Sequence, residues 1–342
     1  MIAISRSALV AGIGAALAAG PALAQDQLVI STWGFNGDIL EEELYAPFEE
    51  EHDVEIVLET GNNADRLNRV RVREGVDLIY LADAFAQQAI DAGLFAEIDR
   101  SLIPNIDNIY EVGRAPHDEE YGPAYTIGRY GIIYDSEALD EPVTSWSGMW
   151  RDDLEGEVSI PNPVTTAGQL IILAAAERAG VDAFENPDAA FESLAELEPN
   201  VLTAYSRGSE MVNLFSQGEI SVAAAQDFTL SSVVDAVPGA VWADLEEGSY
   251  ANLNTINILE GSDNKELAHA FINFHLDQDV QKALAVRGVD APINTNVELT
   301  EEEAAPWTYG QDVVDALRIP DYERLNEVAD DWVDRWEDIF AS

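Results

Sequence analysis

YGPAYTIGRYGIIY, residues Tyr121 to Tyr134, is the stretch on which the fold turns, because alternating strand and helix signals lie on both sides of it. Ile127, Tyr130, Ile132, Ile133 and Tyr134 give it the bulky content of a buried strand, and Pro123 stands near its start, where a missing N–H is tolerated. Gly128 and Gly131 bracket Arg129, and glycines at such places let other backbone or a ligand come close. The stretch reads as a strand that leaves one half of the molecule and enters another, with an arginine where the halves meet. The competing reading is an ordinary core strand whose arginine pairs with a surface acid.

Upstream, LVIST (28 to 32), VEIVLET (54 to 60) and DLIYLA (77 to 82) are runs of strand length. Between and after them, apolar residues recur at helical spacing from Ile39 to Phe48, Ala64 to Val72 and Phe85 to Ala92. Downstream the alternation resumes with strands at VSIPN (158 to 162), VLTAY (201 to 205), SVAAAQ (221 to 226) and VWADL (241 to 245). Helices are expected over 167–179, capped by Thr165 or Thr166, and over 189–197, 209–217, 265–276 and 279–287. NLNTINIL (252 to 259) is the candidate return crossing. The tail from Asp321 to Phe340 places Leu325, Val328, Trp332, Trp336 and Ile339 on one helical face, a packing pattern. Strands alternating with helices predict an α/β protein with mainly parallel sheets covered on both faces. Ligands of such sheets sit outside the carboxyl ends of the strands, here the loops Thr32 to Gly37 and Ala82 to Phe85.

Acids outnumber bases 65 to 17, for a formal net charge of -48, and Lys265 and Lys282 are the only lysines. Nucleic acid and anionic membrane are poor partners for such a surface. The acids are interleaved with a 47% hydrophobic share, so they are not a disordered tail. Adaptation to salty surroundings is expected, since at molar salt the screening length falls to about 3 Å and self-repulsion fades. The absence of cysteine excludes disulfides and thiolate chemistry. His52, His117, His269 and His275 are scattered without metal-binding spacing, and neither a G-x-S-x-G elbow nor a phosphate loop occurs. No catalysis, cofactor or metal is therefore expected. Residues 1 to 24, with Arg6, an apolar run, Pro21 and Ala22-Leu23-Ala24, read as a cleavable secretory signal peptide and predict an exported, soluble mature chain.

Taken in order, several segments resemble the extracellular solute-binding proteins of ABC importers, in the branch of the periplasmic spermidine/putrescine-binding proteins. They are LVISTWG, GVDLIYLADAF, AGLFAEIDRSLIPNIDNI, GIIYDSEALDEPVTSWSGMWRDDLEGEVSIPN, QGEISVAAA and AHAFINFHLDQDVQKALAVRGVDAPINTN. The resemblance implies a type II periplasmic binding protein fold: two lobes, 25–129 plus 253–298 and 130–252 plus 299–342, with crossing strands as hinge. It further implies a monomer of the periplasm that encloses a small solute without reacting with it and delivers it to the membrane subunits of an ABC permease.

Polyamine-binding relatives use aromatic walls and paired acids. The resemblance puts Trp33 at the matching aromatic, Phe35 or Asn36 at the next contact, and Asp83 and Phe85 in the second loop. The second half departs from the pattern: Thr165 and Thr166 replace paired acids, Gln226 followed by Asp227 stands where an aromatic is expected, and the tryptophan-to-aspartate segment reads Asn252-Leu253-Asn254. Arg129 can grip a carboxylate or phosphonate in a bidentate contact, with hydroxyls and backbone N–H groups from Thr165 and Thr166. The aromatics can hold an ammonium, with Asp83 or Asp227 as counter-ion. The expected solute is an amino-acid-like zwitterion of the γ-aminobutyrate type or a polyamine. An anion or ferric carrier is one alternative, and an exported hydrolase on a similar scaffold is another.

Overall fold

β1 (Asp26–Thr32) begins the residues that the structure, a computed structural model, describes, which run from 26 to 340. The signal peptide expected over residues 1 to 24 lies outside them. Burial follows the apolar pattern. β3 (Leu78–Ala82) is buried at every position, as a strand covered on both faces should be, whereas β2 (Val54–Thr60) is mostly part-exposed and lies at the sheet edge. β1 pairs in parallel with both. Between β1 and β2 come α1 (Gly37–Leu40), a π-helical segment (Glu41–Tyr45) and α2 (Ala46–His52). The π-helical segment was not legible, because Leu40, Leu44 and Phe48 keep the spacing of an ordinary α-helix. α3 (Asn63–Val72) and α4 (Asp83–Asp91) follow β2 and β3, each close to its expected span.

Beyond α5 (Glu111–Arg114) comes β4 (Ala124–Asp135), the expected crossing strand. As far as Tyr130 it pairs antiparallel with β9 (Tyr250–Ile258), and from Tyr130 onward with β7 (Val222–Gln226), its last residues also meeting β8 (Ala240–Trp242). β9 in turn pairs with β3. β5 (Val158–Pro161) runs parallel to β7 and to β6 (Val201–Tyr205). The order is β2-β1-β3-β9-β4-β7-β5-β6, with β8 on β4. Each half therefore has its own parallel strands, and the antiparallel pair β4 and β9 joins the two.

Both faces of each half carry an apolar core. In the first, Leu28, Ile30 and Tyr80 pack with Phe48 of α2 and with residues from α10 (Lys265–His275) and α11 (Gln278–Val286), while Leu67 and Ala89 of α3 and α4 cover Ile79 and Leu81. In the second, α6 (Thr166–Arg178), α7 (Pro187–Ala195) and the carboxyl-terminal helix pack around Ile160 and Val222. α8 (Gly208–Gln217) and α9 (Leu230–Ala236) cover the opposite face through Met211, Phe215 and Val233. After the short α12 (Glu301–Ala304) and α13 (Gln311–Asp315), α14 (Tyr322–Phe340) buries Leu325, Trp332 and Trp336, the face expected to pack. It also reaches the first half, where Asn326 Nδ2 donates to the Ala84 carbonyl at 2.9 Å.

Candidate functional site

The expected site residues gather in two groups along β4. The first surrounds Tyr125. Trp33, directly after β1, donates its indole N–H to the Tyr125 hydroxyl at 2.8 Å. Its ring stacks on Phe35 at 6.1 Å, and Phe35 is 53% exposed. Asn36 adopts a left-handed conformation at φ 54° and turns the chain into α1, with no side-chain cap bond. The Arg66 guanidinium of α3, absent from the sequence-based set, lies 3.7 Å over the Trp33 ring. Arg66 is fully buried. Its Nε donates to the Asn62 carbonyl at 3.3 Å and its Nη2 to Asn63 Oδ1 at 3.0 Å, while its Nη1 has no partner among the described residues. Burial pushes the guanidinium down to about 10. Tyr80 meets Tyr125 edge-on at 4.7 Å, and its hydroxyl is 2.9 Å from His275 Nδ1.

The second group lies where β4 changes partner. Arg129 sits 4.8 Å over the ring of Trp242, and its buried Nε has no hydrogen-bond partner among the described residues. Burial lowers its basicity, opposed by the nearby Asp227 and Asp244. Asp227 directly follows Gln226, which pairs with Tyr130 in the ladder. Its carboxylate accepts from the Thr308 hydroxyl and from the backbone N–H groups of Arg129 and Phe228. The two glycines explain the crowding. A Cβ on Gly128 would stand 2.9 Å from Asp227 Oδ1, and one on Gly131 would stand 2.4 Å from the Trp242 ring. What the glycines admit is side chains, not backbone. Asn252 lies opposite Gly128 and accepts from the Tyr130 hydroxyl at 3.4 Å, and Asn254 stands between Ala82 and Thr126.

The other expected residues are placed differently. Asp83 opens α4 and is buried; Oδ2 accepts the Leu253 N–H at 3.1 Å, tying α4 to the crossing strand, and Oδ1 has no partner among the described residues. Burial pushes this carboxyl well above the usual range, opposed by the Leu253 N–H. Phe85 points away, half-buried against the core with Leu67 and Ala89. Thr165 caps α6, accepting from the Gly168 N–H at 3.3 Å and donating to the Asn162 carbonyl at 2.7 Å, while Thr166 is half-buried in the first turn. Sequence reasoning missed Arg66, Tyr125, Trp242 and Thr308. Tyr125 had a signal, an aromatic inside the stretch read as the crossing strand. An open surface depression of about 810 Å³, lined by Asp26, Glu55, Glu74 and Asp77, lies at the amino ends of β1 and β3, the wrong end of a parallel sheet for its ligand.

The sequence profile of a family described as bacterial extracellular solute-binding protein matches residues 43–310. A crystal structure described as an ABC transporter from Clostridium perfringens superposes with a TM-score of 0.86 at 42% identity, covering 92% of this chain and 99% of that one. A spermidine/putrescine-binding periplasmic protein of Salmonella typhimurium is 25% identical over 217 residues, which span 61% of this chain and 61% of that relative's own length. A provisionally named 2-aminoethylphosphonate-binding periplasmic protein of Salmonella typhi is 22% identical over 286 residues, 81% of this chain and 76% of its own. Among the described residues no helix is long and apolar enough to cross a membrane.

Proposed function

Because the chain belongs to the family of bacterial extracellular solute-binding proteins, we propose that it captures a small amine-bearing solute and hands it to an ABC permease. The two lobes would be 25–129 plus 253–298 and 130–252 plus 299–342, closing on each other about β4 and β9. In this reading the chain is exported through its leader, acts as a periplasmic monomer and returns its ligand unchanged. Relatives are named for spermidine, putrescine and 2-aminoethylphosphonate, all of which carry an amine.

One observation favours a zwitterion over a polyamine. Among the described residues Arg129 has no carboxylate within ion-pair distance and keeps an unpaired Nε, although acids outnumber bases 65 to 17. A guanidinium left open where β4 changes partner suits an anionic group on the ligand. Gln226, Asn252 and Asn254 would add neutral hydrogen bonds. Asp227 then serves to hold Arg129 in place. The paired acids of a diamine site are missing here, which weighs against the polyamine alternative.

Calorimetry with putrescine, spermidine, γ-aminobutyrate and 2-aminoethylphosphonate at molar salt tests the reading. A zwitterion should bind, Arg129→Ala should weaken it at least about tenfold, about 1.4 kcal/mol, and the ligand should be recovered intact. Tight spermidine binding that Arg129→Ala leaves untouched would sink the zwitterion.

A further inference from the structure

Gly288, at φ 79°, turns the chain off α11 into a segment clamped on both sides. Thr126 Oγ1 donates to the Ala291 carbonyl at 2.9 Å, Thr126 and Pro292 form a β-bridge, and the Ile293 N–H donates to Gln281 Oε1 at 2.8 Å. Gln281 is itself buried and donates to the Tyr125 and His275 carbonyls at 3.1 and 2.9 Å. Asp290 is held at the start of this segment. Its side chain is half-buried and close enough to Tyr45, Tyr80 and Tyr125 for its charge to act on all three hydroxyls. Yet among the described residues no donor bonds its carboxyl. The backbone around it is fixed, and its own oxygens are left open.

Leaving a carboxyl partly buried and without a donor costs stability, and such groups call for an explanation. Two other acids near β4 each accept at least one hydrogen bond, Asp83 from the Leu253 N–H and Asp227 from Thr308, Arg129 and Phe228. We propose that Asp290 is the anchor for the solute's ammonium group, bonding it through the open carboxyl oxygens beside the Trp33–Tyr125 pair. The inference rests on the amine-bearing solute proposed above and assigns its amine to the first lobe, leaving its other end to Arg129. Neither Asp83 nor Asp227 is then needed as counter-ion.

The experiment titrates the full mature chain and its Asp290→Asn and Asp290→Glu variants with putrescine, spermidine, γ-aminobutyrate and 2-aminoethylphosphonate, beside a thermal melt of each ligand-free protein. For whichever probe the native chain binds, Asp290→Asn should lose at least about tenfold in affinity and Asp290→Glu should recover part of it. The ligand-free melting temperature of Asp290→Asn should be equal or higher, an outcome that a purely structural role would reverse. Affinity of Asp290→Asn within about twofold of native overturns this inference while leaving the amine reading intact, as does a loss of affinity accompanied by a lowered melting temperature in both variants. If the native chain binds none of the four, the amine reading falls and this inference with it.

Discussion

Among the described residues Arg66 is buried without a counter-ion and Asp290 is half-buried without a donor, and Tyr125 feels the charge of both. Burial pushes the Asp290 carboxyl up to about 7. The folded chain therefore keeps a proton there that the unfolded chain has already lost, and stability from this group is present at low pH and lost as pH rises through about 7. His117 and His275, pushed down by burial to about 4 and about 3, act in the opposite direction as pH falls. Comparing the native chain with Asp290→Asn cancels them. The two should melt alike near pH 4, with Asp290→Asn the more stable at pH 8. Tyr45, Tyr80 and Tyr125, which face Asp290, are all held protonated across that range. Amine binding by the native chain should weaken below pH 7 as the carboxyl takes up its proton, while residual binding by Asp290→Asn stays flat. Equal pH profiles for the two proteins would contradict the assignment.

Among the elements, the β4–β9 ladder matters most, since it joins the two halves. Its entrance is tight. A Cβ on Gly122 would lie 1.8 Å from the Ile256 carbonyl oxygen, which is backbone and cannot move aside cheaply, and the Gly122 N–H donates to buried Asn257 at 2.8 Å. Gly122→Ala should cost about 3 kcal/mol, whereas Gly37→Ala, with nothing within 4 Å of the new Cβ, should stay within about 0.5 kcal/mol. Urea melts measure both. Comparable stabilities for the two variants would show that the entrance to the ladder yields more easily than its geometry implies. At the same scale Thr165→Ala removes the cap of α6 and should cost about 1 kcal/mol.

At the scale of the whole molecule the governing quantity is a net charge of -48 on 342 residues. Surface pairs such as Arg287 with Glu42 and Glu43, at 2.6 Å each, neutralise a small part of it. The remaining acids repel one another over a screening length of about 10 Å at 0.1 M salt, falling to about 3 Å at 1 M. The melting temperature should rise by at least about 5 °C between about 0.1 and 2 M NaCl. A flat or falling curve would remove the salt-adaptation reading without touching the fold.

Hydrophobic periodicity, read along the chain, sufficed for the α/β class, for nearly every strand and long helix, and for β4 and β9 as the strands passing between halves. Each of those depends on residues a few positions apart, where sterics and burial act locally. The state of the polar groups was decided only by the tertiary structure. Asp83 meets Leu253 across 170 positions and Asp227 meets Thr308 across 81. In a chain so rich in acids no local pattern distinguishes an engaged carboxyl from an open one; that difference depends on which donors the fold brings within about 3 Å.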